Sequence, residues 1–245
     1  MNRSEGFAVL LLLFVVGAGW WFLRGGTSEE PVTEVPAPVA AVPAAPDPEV
    51  VALPALADSS GLVRELAQGF GMIGATADAL LGQEDLVRRF VRIVDAVANG
   101  SSPAGELDML APEEPFTVIE TGDEIFVDPV SFSRYDAVGE AIARIDADAA
   151  VAAYRNIEPL ADEVYSEIVG EARAFRPVLM RALSALLAVP VVTNPTELTD
   201  ALNRYRYADR ALESLSLPQK HLLRMGPANV GRIQAQLRQI ARLLN

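Results

Sequence analysis

The chain contains no cysteine, one histidine and one lysine. The missing thiol removes disulfides and thiol nucleophiles, and it excludes attachment of a lipid through cysteine. Zinc loses its preferred ligand set. The single histidine, His221, has no neighbouring Ser or Cys nucleophile, and in Gln219-Lys220-His221 it reads as a surface or capping residue. Positive charge is carried almost wholly by arginine, which reads as coding bias rather than function.

The formal net charge over 245 residues is −13. It is unevenly spread. Residues 204–245 hold eight Arg or Lys against Asp209 and Glu213, a net of +6, so residues 1–203 hold −19. The expectation is that basic C-terminal helices pack on an acidic body. The sharper alternative is a basic surface for an anionic partner, with Arg224, Arg232 and Arg238 as its contact residues.

One long apolar run is present. Gly6–Leu23, GFAVLLLLFVVGAGWWFL, is eighteen residues without a charge. At ~1.5 Å per residue a helix of that length reaches roughly 27 Å, close to the thickness of a hydrocarbon core. Phe7, Leu12, Val16, Trp20, Trp21 and Leu23 are the expected lipid contacts, with the two indoles at the interface and Arg24 beyond them. Val16-Gly17-Ala18 resembles a signal-peptidase site, but the apolar run continues past it, so an uncleaved single-pass anchor is expected. A short head and one long following domain fit a signal anchor in a bacterial inner membrane, with the C-terminal domain in the periplasm. The charge bias across the run is weak.

Residues 25–54 carry seven prolines from Pro31 to Pro54. Such a stretch favours extended polyproline II and cannot bury a core, so it reads as a linker of up to about 90 Å. Residues 55–245 then form the domain, and its fold class is expected to be mainly α with one short β-hairpin.

Leu86, Phe90, Ile93 and Val97 recur at helical spacing within Gln83–Asn99, and Gly100 suits the position after the helix. Asp58-Ser59-Ser60 offers N-cap chemistry to an earlier short helix, Leu62–Gln68. The hairpin falls at Phe116–Glu120 and Glu124–Asp128 around Thr121-Gly122-Asp123. Helices follow over Asp136–Ile145, then from Asp146 to Gly170 with Pro159 expected to kink or divide it, and over Ala174–Val189. Thr196 with Glu197 reads as the start of a helix to Ala208. Pro218–Arg224 is a short helix, and Gly226-Pro227 opens the last one, with Val230, Ile233, Leu237, Ile240 and Leu244 inward.

Leu86–Asp95 (LVRRFVRIVD), Phe132–Asp136 within SFSRYD, Ala153–Pro159 and above all Ala208–Val230 (ADRALESLSLPQKHLLRMGPANV) resemble the bacterial domain-of-unknown-function family 3014. The likeness runs from about Leu53 to Leu244. It implies an N-terminal anchor, a Pro-rich spacer and a helical domain in Gram-negative bacteria. It lends no catalytic or binding residue. The chain departs from the family over Ala172–Ala188, where Arg176-Pro177 and Ser184-Ala185 stand in place of Asn-Asp-Arg and Asp-His pairs.

No catalytic residue, cofactor or metal is nominated. Glu163 and Glu167 lie one turn apart and offer two carboxylates for glycoside hydrolysis of an envelope polymer, although acids at that spacing usually form a solvated face. Asp123, Glu124 and Asp128 match no calcium loop. Segment 217–233 has the helix–Gly-Pro–helix form of a phosphate-holding helix-hairpin-helix, but the acidic balance and the expected export argue against nucleic acid. The composite expectation is a membrane-anchored, non-catalytic interaction or scaffold protein. It holds the membrane through residues 6–23 and takes an unknown envelope protein as partner.

Overall fold

The computed structural model describes residues 53–69, 74–200 and 205–245. The expected anchor at Gly6–Leu23 and nearly all of the proline-rich linker lie outside these residues. Among the described residues no helix is long and apolar enough to cross a membrane.

The elements in chain order are α1 (Ser59–Gln68), α2 (Ala75–Leu81), α3 (Leu86–Ala98), β1 (Val118–Thr121), β2 (Glu124–Val127), α4 (Val130–Ser133) and α5 (Asp136–Ala143). They continue as α6 (Ala147–Val169), α7 (Arg176–Leu187), β3 (Glu197–Asp200), β4 (Tyr205–Tyr207), α8 (Arg210–Glu213), α9 (Leu217–Leu223) and α10 (Gly226–Leu244). Three single 3-10 turns complete the set, two of them in the 101–115 connection.

Four helices make the core, in the cyclic order α3, α6, α10, α7. Neighbours in this order pack on one another, α5 packs closely on α10 from outside the ring, and α3 and α10 stand at opposite corners. The α3 stripe is buried as its spacing predicts, through Leu86, Phe90, Ile93 and Val97 and the flanking Val87, Val91 and Val94. Phe90 meets Phe175 edge-on at 5.5 Å and Tyr154 at 6.5 Å, joining α3 to both neighbouring helices. Gly100 takes φ +70°, and the amides of Gly100 and Ser101 close onto the last turn of α3.

Several local expectations are corrected. Asp58 flanks α1 without a side-chain bond, and Ser59 and Ser60 lie inside the helix. Ser60 Oγ instead accepts from Leu86 N at 3.2 Å, so it caps α3 across the fold. Pro159 neither divides α6 nor ends it. Its ring is on the exposed side, where the carbonyl it deprives of a donor can be hydrated. Asp146 does cap α6, accepting from Ala149 N at 3.0 Å, and Gly170 at φ +76° ends it.

The larger correction concerns 196–208, expected as a helix. The described part forms β3 and β4. They complete a four-stranded antiparallel sheet in the order β1-β2-β3-β4, in place of a lone hairpin. Ile125 pairs with Leu198, and Leu198 with Tyr207. Thr196-Glu197 looks like a capping pair, but β2 presents an open ladder to this segment, and Val127 N donates to Thr196 O at 2.9 Å. Once paired, the segment puts Leu198 and Tyr207 on the buried face. The β1–β2 hairpin itself falls where expected, with Gly122 at φ +62° in the two-residue loop.

Candidate interaction surface

Most polar side chains of Ser216–Asn229 point inward. Gln219 Oε1 accepts from Ser216 N at 3.0 Å, which closes the cap of α9, and Gln219 Nε2 donates to Ala185 O at 2.9 Å. Lys220 Nζ donates to the Glu213 carbonyl and to its carboxylate, both at 3.0 Å. The second Glu213 oxygen accepts from Tyr207 N at 3.1 Å. Burial pushes the Glu213 carboxyl up, but Lys220, the Tyr207 amide and Arg224 together hold it below the ordinary carboxylate range. The sheet, α8 and α9 are thereby joined at one carboxylate.

The first turns of α10 continue the pattern. Asn229 Nδ2 donates to Asp136 Oδ1 at 2.9 Å and Met225 O at 3.0 Å, with Phe132 O at 3.4 Å. A Cβ on Gly139 would fall inside the Asn229 side chain, so glycine lets α5 approach α10 at that point. Gln234 Nε2 reaches the carbonyls of Leu186, Leu187 and Val189, the last at 2.7 Å, and Gln236 Nε2 reaches Ile145 O at 2.6 Å. Helix ends leave carbonyls without intrahelical donors. The amides of α9 and α10 supply donors to the ends of α4, α5 and α7. In return Arg155 and Arg176 donate to Leu243 O and Leu244 O at the end of α10.

Arg224 is half-buried at the end of α9, beside Tyr207 and Tyr135. Burial pushes the Tyr207 phenol up to about 12 against the pull of Arg224. The junction widens towards solvent. Arg134 lies over the rings of Tyr135 at 5.3 Å and Phe116 at 5.5 Å, and Phe116 meets Tyr205 at 5.8 Å. Arg224 is thus part of an aromatic seam between the sheet and the helices.

Arg232 and Arg238 are exposed on α10. Arg232 Nη1 donates to Asn229 Oδ1 at 3.1 Å and lies 3.9 Å from Asp136. Arg238 Nη2 donates to Gln234 Oε1 at 3.0 Å. They are six positions apart, about 120° around the helix, so they face different neighbours. The structure does not gather Arg224, Arg232 and Arg238 into one patch.

Glu163 and Glu167 are exposed on α6. Glu167 is held in a fork by Arg88, and that hydrogen bond lowers its pKa. A general acid needs the opposite shift. At segment 217–233 the two helices form as expected, with Gly226 at φ +83°. Phe132 packs on Gly226, where a Cβ would overlap its ring, so the start of α10 is covered. His221, expected at the surface, is 3% exposed, because α9 packs on both α7 and α10. Among the described residues no three His, Asp or Glu side chains converge as metal ligands.

Two residues with no place in the sequence-based set stand on the same side as Arg238. Arg181 on α7 and Arg242 on α10 are both exposed. The signal for them was available: neither α7 nor α10 contains a single Asp or Glu.

Fold and surface define a mainly helical domain with a small antiparallel sheet, whose most distinctive residues lock its last helix in place. Residues 86–241 match the model of the family described as protein of unknown function (DUF3014), and the chain belongs to that family. No curated protein and no solved structure matches it.

Proposed function

We propose that the chain is a membrane-anchored, non-catalytic interaction protein of the bacterial envelope, in which residues 6–23 tether the helical domain and the domain binds another envelope component. The supporting observation is how the polar residues of α10 divide. Asn229, Gln234 and Gln236 are spent on holding neighbouring elements, while Arg232, Arg238 and Arg242 face outward on a helix without acids. Arg238 and Arg242 each use one donor inside the fold, so most of their N–H groups remain for a partner. Gly6–Leu23 supplies the tether and Arg24 its boundary.

Export is tested by alkaline phosphatase fused after Asn245, with a cytoplasmic reporter fused at the same place. The reading expects an active phosphatase and a silent cytoplasmic reporter, and the reverse pattern removes the periplasmic placement. Anchoring is tested separately by alkaline extraction of membranes. A chain released into the supernatant has no anchor.

A further inference from the structure

The outer faces of α7 and α10 form one basic surface. α10 runs antiparallel to α7, since Gln234 meets the C-terminal carbonyls of α7 and the Leu244 carbonyl meets Arg176 at its start. Arg238 and Arg242 therefore fall level with the turns of α7 that carry Met180 and Arg181. The two helices together hold five arginines and no acid. The carboxylates bordering them are already engaged: Glu158 takes Arg176 through two bonds of 2.9 Å, and Asp136 lies by Arg232 and Asn229. Arg181, Arg238 and Arg242 have no carboxylate within ion-pair range among the described residues. Arg238 spends one donor on Gln234, and Arg242 one on the Arg238 carbonyl. Each guanidinium has five N–H donors, so most remain open to a ligand. In a chain of net charge −13 this is a face of opposite sign to the body.

We infer that this α7/α10 face lies on an anionic phospholipid surface, with the Arg181, Arg238 and Arg242 guanidinium groups on lipid phosphates. The inference rests on the reading of residues 6–23 as an anchor. Guanidinium groups suit phosphate oxygens through paired bonds. Charge complementarity selects a polyanion, and tethering selects lipid over nucleic acid. Thirty residues reach about 90 Å if fully extended, more than a domain diameter of about 40 Å, so a linker of that length lets the face turn to the membrane that holds the chain. The headgroups are then present at a high effective concentration that a free polyanion lacks. Repulsion of the acidic body fixes which side faces down. At about fivefold per arginine near an anionic surface, the three together favour the docked domain by about 100-fold at low salt.

The chain has no cysteine of its own, so one can be placed at will. The full chain carrying Ser184→Cys, on the exposed side of α7, is labelled with a fluorescent donor and reconstituted into vesicles with acceptor-labelled lipid. Vesicles of phosphatidylcholine alone are compared with an equal mixture of phosphatidylcholine and phosphatidylglycerol. Energy transfer from position 184 should rise with phosphatidylglycerol and fall again in high salt. A label at Thr199→Cys on the exposed sheet should show no such rise. Combining Arg181→Glu, Arg238→Glu and Arg242→Glu should abolish the rise with helical circular dichroism intact, and the triple Gln variant serves if the Glu variant unfolds. Equal transfer in both vesicle types overturns the inference, as does a rise that survives the triple variant. So does Arg-dependent binding to a DNA duplex without any lipid effect. Failure of the chain to incorporate into phosphatidylcholine vesicles counts against the anchor alone. The soluble chain is then mixed with preformed phosphatidylglycerol vesicles, where Arg-dependent cosedimentation supports the face and its absence overturns it.

Discussion

Helices α3 and α10 are both rich in arginine and occupy opposite corners of the same four-helix core. On α3 each arginine finds a carboxylate. Arg88 forks onto Glu167, and Arg89 and Arg92 converge on Glu106 at 3.2 and 2.6 Å. On α10 only Arg232 comes near one, at 3.9 Å. The same residue type therefore secures the fold at one corner and is left available at the other. Partnered arginines stabilise by about 1 kcal/mol or less when exposed, so the contrast concerns availability more than energy.

The contrast sharpens when the inward side of α10 is disturbed. Gly226→Ala introduces a Cβ into the Phe132 ring at a left-handed backbone position, and about 4 kcal/mol should be lost in chemical denaturation. Adding Phe132→Ala should recover part of that loss. The Tyr207 phenol gives the next effect. Its folded pKa of about 12 lies above the ordinary 10.0, so its contribution is fully present below pH about 10 and drains away as the pH rises to about 12. Up to about 3 kcal/mol is at stake, and Tyr207→Phe should reduce the loss of thermal stability across that window, the remainder coming from the phenols of Tyr135 and Tyr154, which burial also pushes up.

Gln234→Ala removes the side-chain donor from Leu187 O and Val189 O, while Leu186 O keeps the Val189 amide, and should cost about 2 kcal/mol with an unchanged denaturant slope. On the outer faces the effects shrink. Arg89→Ala, at a side chain only 18% exposed, should cost about 1 kcal/mol, whereas Arg242→Ala should cost under about 0.5 kcal/mol. Equal costs for these two substitutions would break the comparison between the corners.

Elements with a local signature were readable in advance. The α3 stripe, the Gly100 terminus, the β1–β2 loop and the Gly226-Pro227 junction each declare themselves within a few residues. The β3–β4 segment does not, because Leu198 becomes a strand residue by pairing with Ile125, more than seventy positions earlier. His221 lies in a polar tripeptide, and only the packing of α9 against two helices buries it. The candidate surface was half legible. Arg232 and Arg238 stand out in sequence, but whether an arginine is paired depends on contacts such as Arg88 with Glu167, which span 79 positions. Arg181 belongs with Arg238 only once α7 and α10 are seen to be antiparallel neighbours. Arg224 was nominated for its charge, and its place in the aromatic seam follows from tertiary packing alone.

The donors that Gln234, Gln236 and Asn229 bring to the ends of α7, α5 and α4 also set an order of events during synthesis. The ribosome delivers α4, α5 and α7 before it delivers α10. Until then those helix ends must keep their carbonyls hydrated, and Ile233, Leu237 and Ile240 have not yet filled their places in the core. A chain cut before Gly226 should therefore stay open and protease-sensitive, and the fold should close only when α10 is in place.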